Sequence, residues 1–154
     1  MNQYLAKFIE EKFSNPGKAL DLGAGDFDDV KELKERGWDC EGVDLKTGID
    51  LEKPYRSAKA PFDLVYSNYV IQKIKNKKQF IQTIIDNLKS DGWMFLHIFD
   101  NSDKRGNSGL GEDIIADLLG NKFKNVKMRV FDYYDSEEKH NHWHKILEVT
   151  AQKK

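Results

Sequence analysis

Apolar positions along this chain switch repeatedly between helical and strand spacing. Tyr4, Leu5, Phe8, Ile9 and Phe13 recur at three- and four-residue intervals, which predicts a helix over residues 2–14 with one apolar face. Asn15-Pro16-Gly17 stops it. Lys18-Ala19-Leu20-Asp21-Leu22 then reads as a short buried strand, closed by Gly23-Ala24-Gly25. Phe27, Val30 and Leu33 line a second helix, with Asp28 and Asp29 suited to its first turn and Gly37 to its end. Cys40 to Leu45 reads as the next strand, and Phe62-Asp63-Leu64-Val65-Tyr66-Ser67 as another. Between them lie a short Ile49-Asp50-Leu51 element and a loop-like stretch with Pro54 and Pro61. That leaves no room for a full helix, so this middle region is abbreviated.

Phe80, Ile81, Ile84, Ile85 and Leu88 form the clearest helical stripe, following a basic entrance at Lys73–Lys78 and ended by Ser90-Asp91-Gly92. Trp93 to Phe99 is almost wholly apolar, as befits a strand covered on both faces. Leu110, Ile114, Ile115, Leu118 and Leu119 mark one more helix before Gly120. Val126 to Tyr134 and Trp143 to Ala151 read as two strands of a late antiparallel hairpin. Alternating strands and helices imply an α/β fold, a mostly parallel sheet with helices on both faces. Residues 1–154 read as one domain, with no repeat or linker.

Composition narrows the function classes. The 25 basic and 26 acidic residues leave a net charge of -1, without the basic excess of a typical nucleic-acid binder. The Lys73–Lys78 cluster is read as a solvated helix entrance. Cys40 is the only cysteine, so no internal disulfide exists, and its apolar surroundings suit a packed thiol. No signal peptide and no membrane-length apolar run is visible, so the expected location is cytoplasmic.

In an open parallel sheet a ligand lies beyond the carboxyl ends of the strands, where the strand order reverses. The first strand exits there through Asp21-Leu22-Gly23-Ala24-Gly25-Asp26-Phe27. Gly23 and Gly25 permit a sharp turn and a close backbone approach. Asp44, 19 residues beyond Gly25 at the end of the second strand, can accept both hydroxyl hydrogens of a ribose. A dinucleotide site would have a third glycine where this chain has Asp28, and Asp26 and Asp29 flank it. Carboxylates at that helix start repel a pyrophosphate but tolerate a cationic sulfonium and an ammonium group.

The motif Ala19-Leu20-Asp21-Leu22-Gly23-Ala24-Gly25 resembles motif I of the class I S-adenosylmethionine-dependent methyltransferases. Gly42-Val43-Asp44-Leu45 is similar to the family's second motif. Residues 62–74 resemble the fourth-strand motif and its following turn, and residues 88–96 the segment where a helix meets the fifth strand. The resemblance implies a Rossmann-like seven-stranded sheet ending in the hairpin. It implies that S-adenosylmethionine is the cofactor and S-adenosylhomocysteine the product. Asp21 would help hold the methionine ammonium, and Gly23, Ala24 and Gly25 would pass along the cofactor. Asp44 would bind the ribose, Leu45 would pack on the adenine, and Asp50 would lie near the adenine amino group. Ser67 and Asn68 would lie near the methionine end. Two departures stand out. Phe27 replaces a frequent third glycine, and Gln72-Lys73 replaces a frequent histidine pair.

The implied reaction is in-line displacement at the sulfonium methyl, with a small molecule expected as acceptor. A protein or RNA acceptor, or a non-catalytic cofactor-binding subunit of a larger complex, is the alternative. Tyr69, Asp100 and His144 are the candidates for a base, and the N-terminal helix is expected on the acceptor side. The polar segment Asp100–Gly109 is read as a mobile lid. Tyr4, Phe8, Tyr69, Tyr133, Tyr134 and Trp143 are available as aromatic walls. His97, mid-strand, reads as a satisfied core histidine. His140, His142 and His144 would share one face if all stood on a strand, but His140 and His142 are expected in the hairpin turn, no cysteine or clear carboxylate set accompanies them in sequence, and no metal is expected.

Overall fold

A computed structural model describes residues 1–106, 108–136 and 141–154. The elements are α1 (Gln3–Lys12), β1 (Lys18–Leu22), α2 (Asp28–Glu35), β2 (Asp39–Val43), β3 (Phe62–Asn68), α3 (Lys77–Asn87), β4 (Leu88–Phe99), α4 (Glu112–Leu119), β5 (Phe123–Asp135) and β6 (His142–Lys153). They build one sheet in the order β2-β1-β3-β4-β6-β5. The first three pairings are parallel, while β6 inserts antiparallel between β4 and β5. The expected α/β architecture and closing hairpin are present.

Strand side chains alternate between two cores, as a period of two requires. Leu20, Leu22 and Val65 point to a core shared with Ile81 and Ile84 of α3 and Ile115 of α4. Ala19, Leu64 and Tyr66 point the other way, to Leu5 and Phe8 of α1 and Val30 and Leu33 of α2. Among the described residues, no helix is long and apolar enough to cross a membrane.

Among the described residues the sheet has six strands, which corrects the expected seven. Residues 49–51 form no strand, and Leu45 belongs to a 3-10 turn, Leu45–Thr47, rather than to β2. The physical cause lies in the next dozen residues. Pro54 and Pro61 cannot donate to a strand ladder. Side chains hold the segment instead: the Tyr55 hydroxyl donates to Glu41 of β2 at 2.8 Å, and the Ser57 hydroxyl donates to the same carboxylate. Asn87 accepts from the Ser57 amide at 2.9 Å and donates to the Tyr55 carbonyl at 2.9 Å.

A second correction concerns the long helix, which ends at Asn87 rather than at Ser90-Asp91-Gly92. Leu88 is already extended and pairs with Phe62, and the register shifts before Leu64 meets Trp93. The three polar residues make an irregularity within β4, with Asp91 in the left-handed region at φ +65°.

Asn2 caps α1 and ties it to the sheet. Its side-chain oxygen accepts from the amides of Tyr4 and Leu5 at 2.9 and 3.3 Å. Its side-chain nitrogen reaches the Asn68 oxygen and His97 Nδ1, both at 3.1 Å.

Candidate active site

The strand order reverses between β1 and β3, with α2 following one and α3 the other on opposite faces. The loop after β1 turns against the end of β2, because the amides of Gly23 and Ala24 both donate to the Val43 carbonyl, at 2.8 and 2.9 Å. Gly23 takes φ +86°, and a Cβ there would come within 2.3 Å of Val70 Cγ2. Gly25 takes φ +57° and faces open space. Phe27, where a third glycine is frequent, keeps a left-handed backbone at φ +64°. Its ring stands close over Gly42 of β2.

Asp44 is the latch of this loop. One carboxylate oxygen accepts from the Gly25 amide at 3.0 Å, and the other from the Lys46 amide at 3.0 Å. Thr47 reciprocates by accepting the Asp44 amide through its hydroxyl oxygen at 3.1 Å. These hydrogen bonds, that from Lys46 foremost, hold the Asp44 carboxyl below the usual range, so it is ionised. Leu45 beside it is 75% exposed. Asp50 is exposed, and its carboxylate accepts the Glu52 amide at 3.0 Å.

Asp21 behaves in the opposite way. It is buried on the α1/α2 side of β1, beside Tyr66. Burial first, then the neighbouring carboxylates of Asp29 and Asp44, push it up to about 8 against the opposing hydrogen bond with Tyr66. It therefore holds its proton at neutral pH.

At the end of β3, the Ser67 hydroxyl donates to the Leu22 carbonyl at 2.7 Å and ties β3 to β1. Asn68 donates to Asp29 in the first turn of α2 at 3.2 Å while accepting from Asn2. Tyr69 follows at φ +61°, its amide donating to the His97 carbonyl.

Next to these residues opens a cleft of about 660 Å³. Tyr4, Tyr69, Phe99, Phe131 and Tyr133 give it aromatic walls, and Asp28, Asp29 and Asp135 supply acidic edges. His97 also lines it, with its ring fixed between Asn2 and Glu148, which accepts at 2.8 Å. Arg129 donates to Glu148 from the other side at 2.9 and 3.2 Å. Burial holds His97 below the usual histidine range despite Glu148, so the ring stays neutral at pH 7. His97 is thus both the satisfied sheet histidine expected from sequence and part of the cleft.

Residues 1–148 match the family model described as methyltransferase domain. This chain belongs to that methyltransferase family. No curated protein matches it significantly. Solved structures share the fold at low identity. The 1,6-didemethyltoxoflavin N1-methyltransferase of Burkholderia thailandensis, solved with 1,6-didemethyltoxoflavin and S-adenosylhomocysteine, superposes with a TM-score of 0.73 at 19% identity, covering 98% of this chain and 77% of that one. A phosphoethanolamine N-methyltransferase 2 from Haemonchus contortus, solved with S-adenosylmethionine, gives 0.73 at 16% identity, over 99% of this chain but only 52% of its own. An S-adenosylmethionine-dependent methyltransferase of Methanosarcina mazei gives 0.75 at 14% identity, covering 95% and 96%.

Within this methyltransferase domain, the three candidate bases fall in different settings. Tyr69 lies in the cleft wall, stacked on Phe99 at 4.8 Å, and burial pushes its hydroxyl well above the usual tyrosine range. Asp100 is buried and accepts from the amide and the hydroxyl of Ser102, which makes it a loop fastener. His144 lines the cleft and pairs through Nδ1 with buried Asp103 at 3.0 Å. The domain's expected lid is tied down in its described residues. Asp103 accepts from the amides of Arg105, Gly106 and Lys145, and Ser108 donates to the Phe99 carbonyl.

Of the aromatic candidates, Tyr4, Tyr69 and Tyr133 line the cleft, whereas Tyr134 and Trp143 pair with each other on the exposed side of the hairpin. Phe8 packs on Phe95 and Trp93. His140 lies outside the described residues. Asn2 and Asp103 were not singled out as site residues from sequence, and Asp29 only as a carboxylate at the start of α2. The polar capping pattern at Asn2 was the only signal available, since the partners of Asp103 lie about 40 residues away.

Proposed function

We propose that this domain is an S-adenosylmethionine-dependent methyltransferase acting on a small-molecule acceptor bound in the aromatic cleft. The observation that carries the reading is a junction: Asp29 belongs both to the helix opened by the glycine loop and to the cleft wall, and Asn68 joins it to the end of β3. A ligand laid over the loop therefore ends where the cleft begins.

The residues fit that cofactor. Gly25 has open space where a Cβ would stand, and the exposed Leu45 flanks an ionised Asp44. Asp26, Asp28 and Asp29 at the start of α2 disfavour a pyrophosphate. Asp44 would bind the ribose diol, and Leu45 would pack on the base, with Asp50 toward its amino group. Gly23, Ala24 and Gly25 would line the ligand. Asp21 and Asn68 would serve the methionine end, while Ser67 fixes the strands beneath. The structural likeness to enzymes solved with S-adenosylmethionine or S-adenosylhomocysteine supports this.

Bound there, S-adenosylmethionine supplies a methyl group on a positively charged sulfur. The protein's share is alignment: Tyr4, Tyr69 and Tyr133 position a flat or cationic acceptor, and Asp29 and Asp135 favour positive charge. A thermal-shift comparison tests the cofactor class. S-adenosylhomocysteine at about 100 times its dissociation constant should add roughly 2.7 kcal/mol, with NAD adding nothing. Transfer of labelled methyl to members of a small amine and heterocycle panel then tests the reaction. Absence of stabilisation by either sulfur nucleoside would end the proposal.

A further inference from the structure

The far wall of the cleft carries a constellation of histidines and carboxylates with a geometry of its own. At the end of β5 and the start of β6, Asp135 stands opposite His142 in register, and Tyr133 opposite His144. His142 and His144 are two apart on one strand, so both side chains fall on one face. Their Nε2 atoms lie 2.7 Å apart, with the rings nearly perpendicular at 73°. A carboxylate oxygen of Asp135 completes a set whose donor atoms all lie within 4.8 Å of one another.

His144 is also held from behind. Its Nδ1 meets Asp103 at 3.0 Å, and its ring stacks on Phe99 at 4.4 Å. Asp103 is buried and accepts three backbone amides besides the imidazole, so its carboxylate is fixed in place. With Asp103 accepting a hydrogen bond from its Nδ1–H, His144 turns the lone pair of Nε2 toward His142. This carboxylate–imidazole arrangement is the one that orients histidine ligands of metals.

We propose that Asp135, His142 and His144 form a zinc-class divalent metal site on the cleft wall, with Asp103 as the positioning residue for His144. Two imidazoles and one carboxylate suit a borderline-soft ion better than calcium or magnesium, which prefer all-oxygen shells. Zinc–nitrogen bonds of about 2.0–2.1 Å at a tetrahedral angle put two nitrogens about 3.3 Å apart. The two rings need to part by only roughly 0.6 Å from their present separation. The ion would take the place of the hydrogen bond between the two Nε2 atoms, with each imidazole keeping its one proton on Nδ1. Three protein ligands leave a fourth position, and since Asp135 and His144 line the cleft, that position opens toward the acceptor. The site thus departs from the expectation of no metal. It stands independently of the methyl-transfer reading, because it is tested without cofactor.

The test is titration of the chelator-treated full chain with zinc chloride, by calorimetry and by competition with a chromogenic chelator. One zinc ion per chain is expected, with affinity falling at least 100-fold in the Asp135→Ala/His142→Ala double variant, whose positions are only partly buried. Cobalt(II) should give a four-coordinate visible spectrum in the wild type. Asp103→Asn should weaken zinc 10- to 100-fold and alter the cobalt spectrum. His142→Ala alone, with an unchanged apo melting midpoint, keeps the proposal testable if the Asp103 variant does not fold. Equal zinc affinity in wild type and double variant would overturn it, leaving a hydrogen-bonded histidine pair. Tighter binding of magnesium than of zinc would overturn it as well.

Discussion

Replacing Asp21 by Asn should free the fold from a pH dependence that the buried carboxyl imposes. In the unfolded chain this group releases its proton at the ordinary value of 3.8, whereas in the folded protein burial, Asp29 and Asp44 raise the value to about 8, with Tyr66 opposing. A raised folded value means that the stability linked to Asp21 is complete below about pH 4. It drains away as pH rises toward 8, at about 1.4 kcal/mol per pH unit. Between pH 5 and pH 8 the wild type should lose about 4 kcal/mol that the Asp21→Asn variant keeps. For a domain of this size that is roughly 7–15 °C in melting midpoint. The assay is circular-dichroism melting of both proteins at pH 5, 6, 7 and 8, without ligand. Only the difference between the two profiles matters, because every other titrating group is common to both. Two profiles running parallel across that range would refute the reasoning, since Asp21 would then ionise in the fold as readily as outside it.

Gly23→Ala combines a left-handed backbone with a contact on Val70, and should destabilise by about 2–4 kcal/mol in urea denaturation. Adding Val70→Ala should recover only the packing part, because the backbone strain remains. Asp44→Ala removes the loop latch and should lower stability by only about 1 kcal/mol. The same variant should weaken S-adenosylhomocysteine at least tenfold by calorimetry, and a loss under twofold would remove the ribose role.

Legibility in the sequence followed the range of the interactions. The two cores announce themselves because adjacent strand residues such as Leu64 and Val65 face opposite layers, and both layers are apolar. The glycine loop and Asp44 were visible because the bond that joins them spans 19 residues in a stereotyped spacing. The strand count was not. Whether residues 49–51 join the sheet depends on Glu41 and Asn87 gripping Tyr55 and Ser57, a tertiary arrangement that periodicity does not encode. The end of the long helix was misplaced for a related reason. Ser90-Asp91-Gly92 has helix-stop chemistry, but it serves as an irregularity inside β4. Phe27 shows the limit of reading glycine as the mark of a left-handed residue, for the backbone keeps that conformation under a large side chain. The Asp103–His144 pairing, joined across 41 residues, left no local trace.

Asn2 makes an ordinary capping position irreplaceable. At most helix starts Ser, Thr, Asp and Asn substitute for one another within about 1 kcal/mol, since each offers an oxygen to the first free amides. Here the same side chain must also give two hydrogens away, to Asn68 and to His97. Aspartate has none to give and serine has one, so only a carboxamide of this length serves all four partners. Exchange of Asn2 for Ser should therefore cost more than a lost cap, and the deficit should appear as a displaced first helix and a reshaped cleft rather than as simple fraying.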